Sequence, residues 1–264
     1  MSDVESASQG PLEPPRCPDP QPLDHRLCAG ESLLEREAGA SLRLVDDARQ
    51  PTDGDLQRLR SVEVRTREII QKYQAAMREM EVRFEILDQD LNLKKHRNPI
   101  HHVESRIKKP ASIFEKLGRY GKQPTLENME RYIMDIAGVR VICSYIHDVY
   151  NLLELLQRQD DLEIVTVKDY IANPKPNGYR SLHVIARIPV YFLDKKELIP
   201  VEIQLRTVAM DFWASLEHDL KYKAVRELEG IDSYAELKDC SRIIEDVEAR
   251  MQILARALER DGGL

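Results

Sequence analysis

Cysteine is scarce in this chain, and its spacing excludes more than its number does. The 264 residues hold four, Cys17, Cys28, Cys143 and Cys240. No two form a CxxC pair, so neither a thiolate zinc site nor a dithiol redox motif is indicated. Cys143 sits in an apolar, strand-like stretch and reads as a core residue. Long apolar runs are missing too: no stretch approaches the roughly 20 residues that cross a bilayer. The N-terminus lacks the basic-then-apolar pattern of a secretory signal. An excess of positive charge is also absent. Lys and Arg number 39 against 46 Asp and Glu, a net charge of −7, which argues against DNA as a partner. The expectation is a reduced, cytoplasmic protein with no membrane partner.

What is present is uneven. The composition, 42% hydrophobic and 32% charged, fits a soluble, helix-rich globular chain. Residues 94–140 carry 11 Lys/Arg against 5 Asp/Glu, whereas residues 1–60 carry 7 against 12. A basic centre in an acidic protein suits a small phosphorylated ligand better than a long polyanion. Residues 1–50 hold six of the 14 prolines and little periodicity, and read as a disordered leader. Residues 51–98 read as an N-terminal helical segment that opens at Pro51-Thr52-Asp53 and stops at Asn98-Pro99. Its apolar seam runs through Ile70, Tyr73, Met77, Met80, Phe84, Leu87 and Leu91 in steps of three and four. Residues 226–264 read as a C-terminal helix whose seam runs through Leu237, Cys240, Ile244, Val247, Met251, Leu254 and Leu258. Spacing alone leaves open whether such seams pack within one chain or against another subunit.

The centre, residues 99–225, alternates in type. Stretches 112–117 and 125–133 read as short helices, 139–146 as a buried strand and 149–157 as an amphipathic helix. Three strands follow, at 163–171, 181–190 and 199–207, and then a helix at 208–221. The pattern predicts an α/β (α+β) fold, a mixed β-sheet flanked by helices, with long N- and C-terminal helices.

Three clusters could carry chemistry. Arg106, Lys108, Lys116 and Arg119 can converge on a phosphate chain: the first two share a side if extended, the last two share a helical face. Their plain alternative is a solvated basic surface. Asp135 precedes a strand and is either a cap or a metal ligand, with Arg140 just beyond it. Glu202 shares one polar strand face with Gln204 and Arg206, either a plain exposed face or the floor of a nucleotide cleft. Between them lies the loop Asn173-Pro174-Lys175-Pro176-Asn177-Gly178-Tyr179-Arg180-Ser181-Leu182-His183. Tyr179 is either a stacking platform for a base or an ordinary turn tyrosine, and His183 on the following strand is a ligand or a structural residue. Two acids flanking a base-binding loop suggest metal-assisted chemistry on nucleotides.

The combination resembles the synthetase domain of the RelA/SpoT family, specifically the small alarmone synthetases of the RelQ type. The motifs that carry it are RIKKPASIFEKL, DIAGVRVIC, NPKPNGYRSLH and VEIQLRTVAMDFWASLEH, across about residues 70–225. The resemblance implies a nucleotidyltransferase-like fold and transfer of the β,γ-pyrophosphate of ATP to the 3′-hydroxyl of GDP or GTP. It implies that Arg106 and Arg140 sandwich adenine, and that Lys108, Lys116 and Arg119 hold the ATP phosphates. Asp135 and Glu202 would hold Mg²⁺, and Glu202 would draw the proton from the 3′-hydroxyl. Tyr179 would stack on guanine with Asn177 on its edge, Lys175 and His183 would meet the guanosine phosphates, and Gln204 would line that pocket.

The resemblance also implies a homotetramer built through the terminal helices. Neither His147-Asp148 nor His218-Asp219 continues as the H-D-x-x-E-D hydrolase signature of the long relatives, so synthesis without hydrolysis is expected. Some relatives are activated by product bound near the segment before Arg106. Here that segment is His101-His102-Val103-Glu104 in place of an aromatic and a small hydroxyl, and Glu104 would repel phosphate, which argues against activation by pppGpp. The rival readings are an inactive nucleotide- or single-stranded-RNA-binding regulator of the same fold and an enzyme acting on another acceptor. The presence of both Asp135 and Glu202 favours catalysis, and Asn177 with Tyr179 favours guanine.

Overall fold

Alternation builds the sheet. In the strand Leu182–Tyr191, Leu182, Val184, Ala186 and Ile188 are fully buried, and in the strand Lys196–Thr207 so are Val201, Ile203 and Leu205. Side chains alternate between the faces of a strand, so these residues make one apolar sheet face and the intervening ones make the other. A computed structural model of the chain describes residues 53–95, 97–223 and 232–260. The expected leader at 1–50 lies outside the described residues, as do Pro51, Thr52 and residues 224–231. The elements in order are α1 (Asp53–Lys95), β1 (Ile100–Ile107), α2 (Pro110–Arg119), α3 (Leu126–Tyr132), β2 (Ala137–Cys143), α4 (Ile146–Gln157), β3 (Glu163–Asp169), β4 (Leu182–Tyr191), β5 (Lys196–Thr207), α5 (Val208–Lys223) and α6 (Ser233–Arg260). No described helix is long and apolar enough to cross a membrane.

The five strands lie in the order β1-β2-β5-β4-β3. β2 and β5 run parallel, and the other neighbouring pairs are antiparallel. This is the expected mixed sheet flanked by helices, with one strand more than the sequence pattern shows. β1 escapes that pattern because its residues, IHHVESRI, hold only three apolar side chains, Ile100, Val103 and Ile107, spaced by three and four rather than by two. The second departure is at β2, which ends at Cys143 rather than at residue 146. Asp148 accepts a hydrogen bond from the Tyr145 amide at 3.2 Å and so starts α4 at Ile146, turning an apolar residue of the expected strand into helix.

The two terminal helices separate. α1 buries Ile69, Tyr73, Ala76, Met80 and Phe84 in the core with Leu117, Leu152, Leu156 and the apolar sheet face. The N-terminal seam therefore packs within its own chain. Truncating Phe84 to Ala in such a core costs about 3–5 kcal/mol. The end of α1 is fastened to α4 by Arg97, 2.6 Å from the buried Asp148. α6 does the reverse. Its buried positions are Ser241, Glu248 and Ala255, while Val247, Met251, Leu254 and Leu258 of the expected seam stay exposed. Cys143 is buried in the core, as expected.

Candidate active site

Strand register sets out the polar face of the sheet. Across β1, β2 and β5, Arg106 stands opposite Gly138, and Gly138 opposite Glu202. One row along, Glu104 faces Arg140, Arg140 faces Gln204, and Gln204 faces His183 on β4. A cavity of about 160 Å³ opens here among Arg106, Lys108, Asp135, Arg140, Glu202 and Gln204. Gly138 contributes no side chain at the middle of its row, which leaves the floor open between Arg106 and Glu202.

One wall is organised by Asp135. Lys108 lies just beyond β1, where its amide donates to the Ile136 carbonyl at 2.8 Å. α2 begins with Pro110 in its first turn, a placement that suits the fixed proline φ. Lys116 lies in its last turn. The two ammonium groups meet Asp135 Oδ2 at 2.6 and 2.9 Å. Burial raises the Asp135 carboxyl, but the hydrogen bonds from Lys108 and Lys116 outweigh it and hold the group below the usual carboxylate range. Burial lowers the Lys116 ammonium, and Asp135 more than restores it, so its pKa is raised. Asp135 Oδ1 is buried with no hydrogen-bond partner, an acceptor left open for a cation.

Glu202 faces this wall from β5. His183 Nδ1 is 3.2 Å from its Oε1, and Gln204 Nε2 donates to its Oε2 at 2.8 Å. Burial and the charge of Asp135 raise this carboxyl, but His183 and Gln204 together hold it below the usual range. Among the described residues no group of three or more His, Cys, Asp and Glu is placed to hold a metal. Two carboxylates that leave the remaining positions to water and phosphate are the usual donor set for Mg²⁺, so the residues present fit that ion.

The loop between β3 and β4 stands beside the cavity, outside its lining, and forms the other wall of the candidate site. Gly178 takes φ +89°, a conformation that glycine tolerates best, and its amide donates to the Lys175 carbonyl at 2.8 Å. Asn177 Oδ1 accepts from the Tyr179 amide at 3.2 Å and its Nδ2 donates to Glu217 at 2.9 Å. The Tyr179 hydroxyl meets His183 Nε2 at 2.8 Å and accepts from Arg206 Nη2 at 2.6 Å. The Lys175 ammonium lies 4.7 Å from the Tyr170 ring centroid and 4.6 Å from that of Tyr179. Hydrogen bonds thus run from Tyr179 through His183 to Glu202, joining loop and cavity.

Of the residues singled out from the sequence, Arg106, Lys108, Asp135, Arg140, Glu202 and Gln204 line the cavity, Lys116 and His183 bond its carboxylates, and Lys175, Asn177 and Tyr179 stand in the adjoining loop; Arg119 has no such contact. It stands exposed at the end of α2, outside the cavity wall. Glu104, read from the sequence as part of a product-activation segment, lines the cavity and pairs with Arg140 at 3.1 Å. Arg206, to which the sequence pattern assigns no role, is buried and bonds Tyr179, Gln204 and Asp211. Its spacing of two from Gln204 and four from Glu202 was the available signal. Asp211, which approaches both Arg206 (3.1 Å) and Arg140 (3.6 Å), carries no such signal because it lies on α5. The same holds for Glu217 and Trp213.

The comparisons agree with this geometry. The family model described as "Region found in RelA / SpoT proteins" matches residues 105–227. The GTP pyrophosphokinase YwaC of Bacillus subtilis is 46% identical over 179 residues, 68% of this chain and 85% of that protein. The GTP pyrophosphokinase YjbM of the same organism is 37% identical over 57% of this chain and 70% of its own length. Among solved structures, small alarmone synthetase 2 of B. subtilis matches with TM-score 0.65 and 42% identity, over 72% of this chain and 98% of that one. Small alarmone synthetase 1 of B. subtilis, bound to its product pppGpp, matches with TM-score 0.66 and 30% identity, over 74% and 98%. With a curated relative 46% identical and covered over most of its length, and the same fold in the solved structures, the chain belongs to the RelA/SpoT family, in the group of the small alarmone synthetases.

Proposed function

We infer that this protein is a GTP pyrophosphokinase: it transfers the β,γ-pyrophosphate of ATP to the 3′-hydroxyl of GDP or GTP, giving AMP and ppGpp or pppGpp. The observation that carries the reading is one cavity in which the Lys108–Asp135–Lys116 cluster faces Glu202, with Glu202 joined through His183 to Tyr179. Pyrophosphoryl transfer asks mainly for positioning and charge neutralisation, and the cavity holds cations and carboxylates in fixed places for both.

On the donor side, Arg106 and Arg140 flank the cleft and take the adenine, a planar ring that guanidinium planes stack on. Lys108 and Lys116 hold the phosphates. Arg119, exposed in the last turn of α2, adds a third cation on this side. Asp135 and Glu202 are the residues that hold Mg²⁺, which when bound neutralises phosphate charge and lowers the pKa of a ligated hydroxyl. Glu202, kept ionised by His183 and Gln204, accepts the proton of the attacking 3′-hydroxyl. On the acceptor side, Tyr179 stacks on guanine, Asn177 reads its edge, Gln204 lines the pocket, and Lys175 with His183 meets the guanosine phosphates. A base over Tyr179 takes the place that the Lys175 ammonium now occupies, which frees that charge for phosphate.

The chain assembles as a homotetramer in this reading. The exposed face of α6 at Val247, Met251, Leu254 and Leu258 supports an interface there, whereas the seam of α1 is spent within the chain. Met251→Asp with Leu254→Asp should lower the mass measured by light scattering.

The functional test is incubation of the purified protein with labelled ATP, Mg²⁺ and either GDP or GTP, followed by chromatography. A 3′-pyrophosphorylated guanosine product with matching AMP, lost in Glu202→Gln, is expected. Folded protein that forms no AMP with either acceptor would overturn the reading in favour of a nucleotide- or RNA-binding regulator.

A further inference from the structure

The helix α6 lies beyond residues 105–227, the region that the family model matches, yet it touches the acceptor loop closely. Ser241 Oγ donates to the Gly178 carbonyl at 2.6 Å, and Ser241 is buried. The approach is tight: a Cβ on Gly178 would stand 2.8 Å from Ser241 Cβ and 3.2 Å from Lys238 Cα. Two residues along the loop, Arg180 is only 5% exposed and pairs with Glu248 at 3.3 Å and Glu245 at 3.5 Å. Glu248 is itself buried. At the start of α6, Trp213 Nε1 donates to the Leu237 carbonyl at 2.9 Å, and the Trp213 ring stands edge-on to Tyr179 at 6.5 Å.

These contacts follow a rule. Ser241, Glu245 and Glu248 are spaced by four and three, so they form one stripe along the helix. That stripe is mainly polar and faces the loop, while the apolar seam at Val247, Met251, Leu254 and Leu258 faces outward. None of these contacts reaches Lys108, Lys116, Asp135 or Glu202. A buried ion pair and a short hydrogen bond are an unusual choice for simply attaching a helix, since apolar packing does that with less desolvation. Directional bonds to two positions either side of Tyr179 instead fix where its ring stands.

We propose that α6 is a strut that positions the acceptor-nucleotide loop, with Ser241 and Glu248 as positioning residues acting through Gly178 and Arg180. The proposal rests on the assignment of that loop to the guanosine nucleotide. The strut acts on one substrate only. Loss of a strut bond lets the loop sample other positions, so the acceptor binds to a smaller fraction of competent molecules and its KM rises. The ATP side, built on β1, β2 and α2, keeps its geometry.

The test uses the full chain and three variants, Ser241→Ala, Glu248→Ala and Glu248→Gln. KM for GTP, KM for ATP, kcat and hydrogen–deuterium exchange of residues 173–183 are measured for each. Ser241→Ala and Glu248→Ala are expected to raise the KM for GTP roughly threefold to tenfold, the worth of one hydrogen bond. KM for ATP and saturated turnover should stay near wild type, and the loop amides should exchange faster. Glu248→Gln, which retains an acceptor for Arg180, should recover most of the GTP affinity. Equal rises in both KM values, or loop exchange unchanged in Ser241→Ala, would overturn the proposal. Exchange needs no turnover, so the two readings fail separately. If the wild-type protein forms no AMP, the functional reading falls, while faster loop exchange in Ser241→Ala still upholds the strut. Should Glu248→Ala fail to fold, Ser241→Ala alone decides.

Discussion

The donor and acceptor walls of the candidate site are made differently. The donor wall is carried by strand register: Arg106, Gly138 and Glu202 form one cross-strand row, and Lys108 and Lys116 close on Asp135 from neighbouring elements. The acceptor wall is a loop, held by Asn177–Glu217, Tyr179–Arg206, Gly178–Ser241 and Arg180–Glu248 bonds that come from β5, α5 and α6. A ladder moves as a unit, whereas a loop stands where separate bonds place it. The donor side should therefore fail through its charges and the acceptor side through its position.

Removing a donor-side charge gives the largest effect. Asp135→Asn keeps the shape but takes the counter-charge from Lys108 and Lys116, and turnover should fall by roughly 10²–10³, in the range of a lost electrostatic stabiliser. KM for GTP should barely move; steady-state kinetics against each nucleotide checks both. On the acceptor wall, Tyr179→Ala removes a stacking platform worth about 1–3 kcal/mol. That corresponds to a rise in KM for GTP of roughly fivefold to 150-fold with KM for ATP kept. A matching rise in KM for ATP would show that the walls are not separable.

Asp211 sharpens the contrast because it touches both halves, Arg140 and Arg206. Asp211→Asn should raise both KM values by a smaller factor, about twofold to tenfold. The smallest effect is in pH. Asp135 and Glu202 are both held below the usual carboxylate range in the folded protein. A lowered folded pKa contributes stability above the unfolded value and loses it as pH falls through the folded one. The contribution should thus be intact at neutral pH and shrink only below about pH 4. Urea unfolding from pH 7 to pH 3 should show wild type and Asp135→Asn converging in that acidic window and nowhere above it.

Much of this site was legible along the chain. Period-two alternation in β5 put Glu202, Gln204 and Arg206 on one face, and helical spacing gave α1 its apolar seam though not the surface it packs on. The same reasoning missed β1, whose two histidines, glutamate and arginine offer no apolar period, although it carries Arg106 and leads to Lys108. It read the α6 seam correctly as apolar but could not see that the adjoining stripe through Ser241, Glu248 and Ala255 is the one that meets the rest of the chain.

The amino-acid order alone determined which residue types stand at which spacing, and with them the helix–strand pattern, the family motifs and the two carboxylates. Only the tertiary structure decided that Glu104 pairs with Arg140, that Asp211 lies between two arginines, and that Ser241 reaches Gly178 across 63 positions of sequence. Local periodicity records how a segment turns, and it holds no information on which distant segment will supply a partner. That choice is made when the sheet closes and buried polar groups such as Arg180 must find one another.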